Sequence, residues 1–355
     1  MKLIFFPKYT ENGPSSRYRV YQYLPYFTEF ECEVYPFFDN RYSPSISFKS
    51  INGIFYVTLC YVRRAFNMLR IKKGDIIFLQ YEFMPFLPFS LWVLKIFKVN
   101  YIVDYDDAMF HRYDCHPNKL VRYILKNKIA KVIKNAKVVI TGSPYLTAYA
   151  KKHHDNIIEI PTSINLEKYQ AHINAKPNKT FVIGWVGSKT TSTNLISLIP
   201  AFKILKTRYN HLEFRCIGFD KGLEHHFKDL PFKVLDWDSQ TEVEEIKKFN
   251  VGIMPLQNTP FNKGKCAFKL IQYMACGIPT ISSPLKANLK VNRDNNNLFA
   301  NTTNQWVEAF VKVYENPLIY NEIGKKNKKI VETYYSIQAN QERYLNVFKS
   351  VTLKE

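Results

Sequence analysis

The sequence predicts an α/β protein of two domains, each built on a parallel sheet with helices on its faces, and three observations carry that expectation. A length of 355 residues is too great for one comfortable core and suits two domains of ordinary size. Dense apolar runs of strand length alternate with segments of helical period, as parallel strands buried on both faces and joined by crossover helices require. The stretch 165–179, NLEKYQAHINAKPNK, has linker composition, and after it the strand-turn-helix pattern starts afresh. The expected division is therefore 1–170, 171–335 and a final helical segment 336–355.

In the first domain KLIFF (2–6) reads as a buried strand stopped by Pro7, and the turn TENGPSS leads into an apolar-periodic segment, 17–30, expected to be one helix. Ligands of open α/β sheets are met outside the carboxyl ends of the strands, so Gly13, Arg17 and Arg19, with Ser15 and Ser16, stand where an anionic ligand would lie. Two solvated arginines on an ordinary loop are the plain alternative. CEVYPFF is a second strand, and 48–69 an aromatic-rich amphipathic helix that carries Arg63, Arg64 and Arg70 toward Lys72 and Lys73 with no acid among them. DIIFLQYE is a strand, 91–97 a short apolar helix, and YIVDYDDAMF a strand running into Asp104, Asp106 and Asp107. Carboxylates at a strand tip suit a metal or the orientation of a substrate hydroxyl; with no further acids close in sequence the second use is favoured and no metal is expected. The segment 119–137 sets seven basic residues and no acid over an apolar stripe of helical period, its lysines either solvated or docked on anionic lipid. A strand over 136–141, a helix capped by Ser143 and the strand IIEIP complete this half.

In the second half FVIGWVGS is a strand meeting the turn Gly184-x-x-Gly187-Ser188, which fits either a phosphate approach or a tight structural turn, followed by a helix capped by Ser or Thr. FRCIGF and FKVLDW are strands and 242–249 a helix. The most informative stretch is 251–283, VGIMPLQNTPFNKGKCAFKLIQYMACGIPTISS, read as strand, loop, helix, strand. Cys266, Phe268, Leu270, Ile271, Tyr273 and Met274 can line a helix buried against a sheet, and Gly277 with Pro279 ends the helix. Its start falls beside Gly264 and Lys265. A helix N-terminus from Cys266 through Ala267 to Phe268, with Lys269 one turn in, makes a cradle for a diphosphate; a basic loop capping an ordinary helix is the alternative. Past 301 the pattern is helical, over 306–314, 318–334 and 337–351, with a break at Pro317.

Fifty Lys and Arg against 30 Asp and Glu give a net charge of +20, which implies an anionic partner: nucleotide, phospholipid surface or nucleic acid. The excess is shared evenly, with 24 basic and 14 acidic residues up to Gln170 and 26 and 16 after it, so no basic tail carries it. No nucleic-acid-binding module is recognisable, which sets that partner aside. Six cysteines without a Cys-x-x-Cys pair or zinc spacing read as reduced and mostly buried, favouring the cytoplasm. MKLIFFPKY is too short an apolar run for a signal peptide, and 83–97 is interrupted by two prolines and a lysine, so neither is expected to span a bilayer.

Taken together, GPSSRYRVYQYLPYF, VDYDDAMF, TGSPYLTAYA followed by IEIPTSIN, IGWVGS and above all the 251–283 stretch resemble glycosyltransferase family 4, the retaining nucleotide-sugar transferases of GT-B fold. The resemblance implies two Rossmann-like domains facing across a cleft. The acceptor would be bound by the first, the nucleotide-sugar donor by the second, and the last helix would cross back to the first domain. On the matching positions it implies donor contacts at Gly187, Ser188, Lys189, Gly264, Cys266, Ala267, Phe268 and Gln272. Asp106, Asp107, Lys265 and Lys269 would serve catalysis, and Gly13, Arg17, Arg19 and His111 the acceptor. The family's two glutamates would fall on Gly264 and Gln272 and its arginine on Ser188, with Lys189 beside it, so Lys265 and Lys269 are expected to carry more of the diphosphate charge. No cofactor or metal is expected. A glycan or polyprenyl-linked acceptor and an anionic membrane surface, on the inner face of the plasma membrane, are the implied partners; a catalytically weak protein that keeps the fold for binding is the alternative.

Overall fold

The computed structural model describes residues 2–42, 50–88, 94, 99–170 and 180–352. Two compact units emerge: one comprises Met1–Thr162, Gly264–Cys266 and Asn340–Glu355, the other Ser163–Lys263 and Ala267–Ala339. Three residues of the 251–283 stretch, and most of the last helix, therefore pack with the first unit.

The first unit holds a six-stranded parallel sheet of order β2-β1-β3-β4-β5-β6, with β1 Lys2–Phe6, β2 Glu31–Val34, β3 Ile76–Gln80, β4 Tyr101–Tyr105, β5 Val138–Thr141 and β6 Ile157–Glu159. β1, β3, β4 and β5 are almost wholly buried, which accounts for their unbroken apolar runs. The second unit repeats the plan with order β12-β11-β10-β7-β8-β9: β7 Phe181–Val186, β8 Leu212–Ile217, β9 Phe232–Leu235, β10 Val251–Met254, β11 Thr280–Ser282 and β12 Leu298–Phe299. Along β7, Val182 and Val186 pack in one core with Leu270, Ile271 and Tyr273, while Ile183 and Trp185 pack in the other with Phe202, Phe214 and Phe310. Helices thus cover both faces of this sheet.

Several elements differ from expectation for local reasons. The segment 17–30 is a short helix, Pro14–Arg19, then a 3-10 turn, Tyr21–Tyr26, because Pro25 lacks the N–H that an α-helix would use. The helix Ile51–Met68 starts at Ser50, whose hydroxyl accepts from the Gly53 amide at 3.1 Å; residues 48 and 49 of the expected span, the apolar helix 91–97 apart from Leu94, and linker residues 171–179 lie outside the described residues. The basic segment 119–137 is two helices, Lys119–Leu125 and Lys128–Lys134, because Lys128 turns inward to Glu82 and the Met84 carbonyl instead of joining a solvated lysine face. Ser143 precedes the helix Pro144–Ala150 without a side-chain cap, its hydroxyl donating to the Gly264 carbonyl at 3.4 Å instead. Ser188 caps a 3-10 stretch, Lys189–Leu198, that runs on into the helix Ile199–Arg208. The helices Pro260–Lys263 and Lys286–Val291 and the two-residue β12 are too short to carry a periodicity of their own.

Candidate functional site

In the first unit the carboxyl ends of β1, β3 and β4 gather the polar residues. Arg19 is fully buried: its Nε donates to Asp104 at 3.0 Å, Nη2 binds the other Asp104 oxygen, and Nη1 donates to the Ile160 carbonyl at 2.8 Å. Burial opposes its charge, yet Asp104 holds it well above the ordinary arginine value. Arg19 is therefore a core ion pair and not the acceptor contact expected of it. Its Asp104 partner positions the tip that follows, where Asp106 accepts from Ser15 Oγ at 2.5 Å and from the Tyr81 hydroxyl. Burial, then the neighbouring Asp107, pushes the Asp106 carboxyl up to about 6. Asp107 is ion-paired with Lys265 at 2.8 Å. Burial works against the Lys265 charge, but Asp107 more than restores it.

The remaining predicted acceptor residues are mostly committed elsewhere. Gly13 precedes the helix Pro14–Arg19, and half-buried Arg17 stacks over Tyr18 at 5.1 Å. His111 bonds Asp114 through Nδ1 at 2.8 Å and the Tyr145 hydroxyl through Nε2 at 2.9 Å, so both ring nitrogens are used within this unit. The three carboxylates also have separate partners in Arg19, in Ser15 with Tyr81, and in Lys265. Among the described residues one trio, His111, Asp114 and Cys115, brings ligand-type atoms within 4.8 Å of one another. Sequence reading missed Tyr81 and Lys8. Burial and the Arg112 charge bring the Lys8 ammonium down to about 7; a lysine just past the Pro7 that stops β1 was the available signal.

Gly264–Cys266 closes this arrangement. A Cβ on Gly264 would stand 2.4 Å from the Ala108 Cβ and 2.9 Å from its amide nitrogen, so only glycine fits. Cys266 donates its thiol to the Asp106 carbonyl at 2.9 Å, and burial keeps it protonated.

In the second unit the carboxyl end of β7 meets the helix Phe268–Ala275. The helix starts two residues later than expected, because Ala267 is buried in the left-handed region at φ 57°; Phe268 is its first residue. Lys269 Nζ lies 4.2 Å over the buried Trp185 ring and donates to Thr191 Oγ1 at 3.3 Å. A Cβ on Gly187 would fall 2.4 Å from Trp185 and 2.7 Å from Lys269 Nζ, so this glycine keeps the approach to the ammonium open. Ser188 and Lys189 are exposed on the turn, and Ser188 is tied reciprocally to Thr191. Gln272 is buried with its amide donating to Tyr169 Oη at 3.2 Å, a local commitment in place of the open ribose contact foreseen. Lys265 and Lys269 thus engage different partners. Trp185, Thr191 and Tyr169 are the residues here that periodicity had left as ordinary core or loop.

Residues 180–316 match the family model described as glycosyl transferases group 1. This segment is similar to a group 1 glycosyltransferase domain. The matched segment includes β7, Gly187 and Lys269, and the whole chain shares its fold with solved GT-B glycosyltransferases. Sucrose-phosphate synthase from Thermosynechococcus elongatus superposes with a TM-score of 0.76 at 15% identity, covering 100% of both chains. The α,α-trehalose-phosphate synthase (UDP-forming) from Burkholderia vietnamiensis gives 0.72 at 10% identity, again over 100% of both. HepE from Anabaena in complex with UDP-glucose gives 0.69 at 11% identity, covering 99% of this chain and 100% of that one. At such identities the likeness carries the fold. No curated protein matches the sequence.

Proposed function

We propose that the protein is a retaining, metal-independent glycosyltransferase that moves a sugar from a nucleotide-sugar donor to a glycan or lipid-linked glycan, at the inner face of a membrane, in the making of a surface polysaccharide. The observation that carries this reading is the Lys269 ammonium beside the Gly187 turn in the glycosyltransferase domain. The leaving group is a nucleoside diphosphate, and a fixed cation beside a backbone turn stabilises the charge it gains as the glycosidic bond breaks. Lys265, held charged by Asp107, is the second candidate cation. A donor phosphate oxygen takes the acceptor proton on the face the leaving group departs from, so no protein nucleophile is required. In the first unit Asp106, which accepts from Ser15 and Tyr81, would orient an acceptor hydroxyl or support the cationic sugar.

HepE was solved with UDP-glucose, which makes uridine diphosphate the first nucleotide to titrate. Calorimetric titration with nucleoside diphosphates, followed by a screen of nucleotide sugars for slow hydrolysis, tests the reading: base-selective binding with turnover is expected, and no nucleotide binding would sink it. One observation favours a second reading, a catalytically weak binding protein. The family's first glutamate is replaced by Gly264, and Ala108 fills the space its side chain would need. Nucleotide binding without turnover of any donor would select it.

A further inference from the structure

The helix Ile51–Met68 is built inside out. Its inward residues are Gly53, Tyr56, Cys60, Arg64 and Met68, whereas Ile54, Phe55, Leu59, Val62 and Phe66 face solvent, Phe55 and Phe66 being 65% and 64% exposed. An ordinary surface helix turns its apolar stripe to the core and its charge to water. The apolar surface continues beyond the helix. The Tyr61 hydroxyl donates to the Pro85 carbonyl, Phe86 and Leu87 next in the chain are exposed, and the Phe86 ring lies 5.3 Å from that of Tyr113 and 6.3 Å from that of His116. Just beyond His116, the helix Lys119–Leu125 exposes Leu120, Tyr123 and Ile124.

Contiguous apolar surface of this kind marks an interaction site. Its borders identify the occupant. Arg70, Lys72 and Lys73 follow the first helix and Lys119 and Lys126 flank the second patch, all exposed, and neither 51–74 nor 115–137 contains an acid. An apolar face with exposed cations along its borders is complementary to an anionic phospholipid bilayer, which offers acyl chains beneath a layer of negative headgroups. We propose that the outward face of Ile51–Met68, with Phe86 and the Leu120–Ile124 patch, inserts into the headgroup layer of an anionic membrane and holds the first unit on it. The proposal rests on the glycosyltransferase reading only for its purpose, bringing a lipid-linked acceptor to the protein.

Sedimentation of the full-length protein with vesicles of phosphatidylglycerol and phosphatidylcholine, at low and high salt, tests it. Cation contacts fade with salt whereas apolar insertion does not, so wild-type protein is expected to keep part of its binding at high salt. Phe55→Ser/Phe66→Ser should lower that residual partition by about tenfold or more, and Ile51→Ser/Leu69→Ser, at the two ends of the helix, should do the same independently. Unchanged partition in both variants overturns the proposal. So does a dimer that these variants dissociate without altering vesicle binding, since the face would then belong to a second copy. Uridine diphosphate titration of the same samples separates the two readings: lost vesicle binding with intact nucleotide binding supports the surface, whereas absent nucleotide binding in wild type counts against the transferase alone.

Discussion

Single residues carry the sharpest expectations. Lys269→Ala removes a cation held within reach of the Gly187 turn, and loss of one such transition-state contact costs on the order of a hundredfold in kcat; steady-state kinetics with the identified donor reads it. Asp106 gives a second. If its ionised form orients the acceptor, the rate should climb as pH rises through about 6, and Asp106→Asn should abolish that limb. Stability moves the other way. A carboxyl near 6 when folded and near 3.8 when unfolded binds extra protons in the native state between those values, so its stabilising contribution is full below about 4 and is lost as pH rises through 6. The gain in melting temperature from Asp106→Asn should therefore be larger at pH 7.5 than at pH 4.5. Which of these residues could be read from sequence follows from what their roles require. Lys269 was expected one turn into a helix, and it is the second residue of Phe268–Ala275 because the helix starts later than its period suggested. Arg19 was misread because a fully buried arginine and a surface one look alike until Asp104 is brought from 85 positions away.

At the scale of elements, the strands were the legible part, since two-sided burial leaves an unmistakable apolar run, as in IIFLQ and VVIT. Helix breaks were not, because tertiary partners decide them. The basic segment 119–137 has one continuous apolar stripe, yet it divides where Lys128 turns to Glu82, both side chains being 3% exposed. Lys128→Ala leaves a carboxylate buried without its cation and is expected to cost about 3–5 kcal/mol in denaturant unfolding. Lys131→Ala, on the exposed side of the same helix, should change stability by less than about 0.5 kcal/mol. Similarly, the start of the helix Phe268–Ala275 was placed early because a left-handed alanine has no sequence signature; glycine is the usual occupant of that region.

For the whole molecule, charge and metal use are the testable properties. Activity should persist in excess EDTA, because the diphosphate is assigned to lysines and a backbone turn; an absolute requirement for a divalent ion would refute that assignment. Replacing Lys126, Lys131 and Lys134 together by Gln should lower the salt concentration at which the protein leaves anionic vesicles, read by sedimentation across a salt series, because each exposed cation near such a surface adds about 1 kcal/mol of attraction. Among the described residues no helix is long and apolar enough to cross a membrane. The two-unit plan was visible in the sequence through the restart after the linker, but the membership of Gly264–Cys266 in the first unit was not, since no local pattern marks a three-residue excursion.

The last helix has a consequence for how the chain is made. Phe348 is fully buried, with its ring 5.1 Å from Phe27, 6.2 Å from Phe5 and 6.2 Å from Phe78, and Tyr344 lies 4.7 Å from Tyr23. These partners sit on β1, β3 and the segment after the first helix, the earliest parts to leave the ribosome. Synthesis at 5–20 residues per second, the usual range, leaves them waiting tens of seconds for residues near 348. The unit begun first is thus completed last. During that interval its aromatic core stays open to chaperones, so a nascent chain arrested before residue 340 should be held by them, with its second unit folded and its first still unsealed.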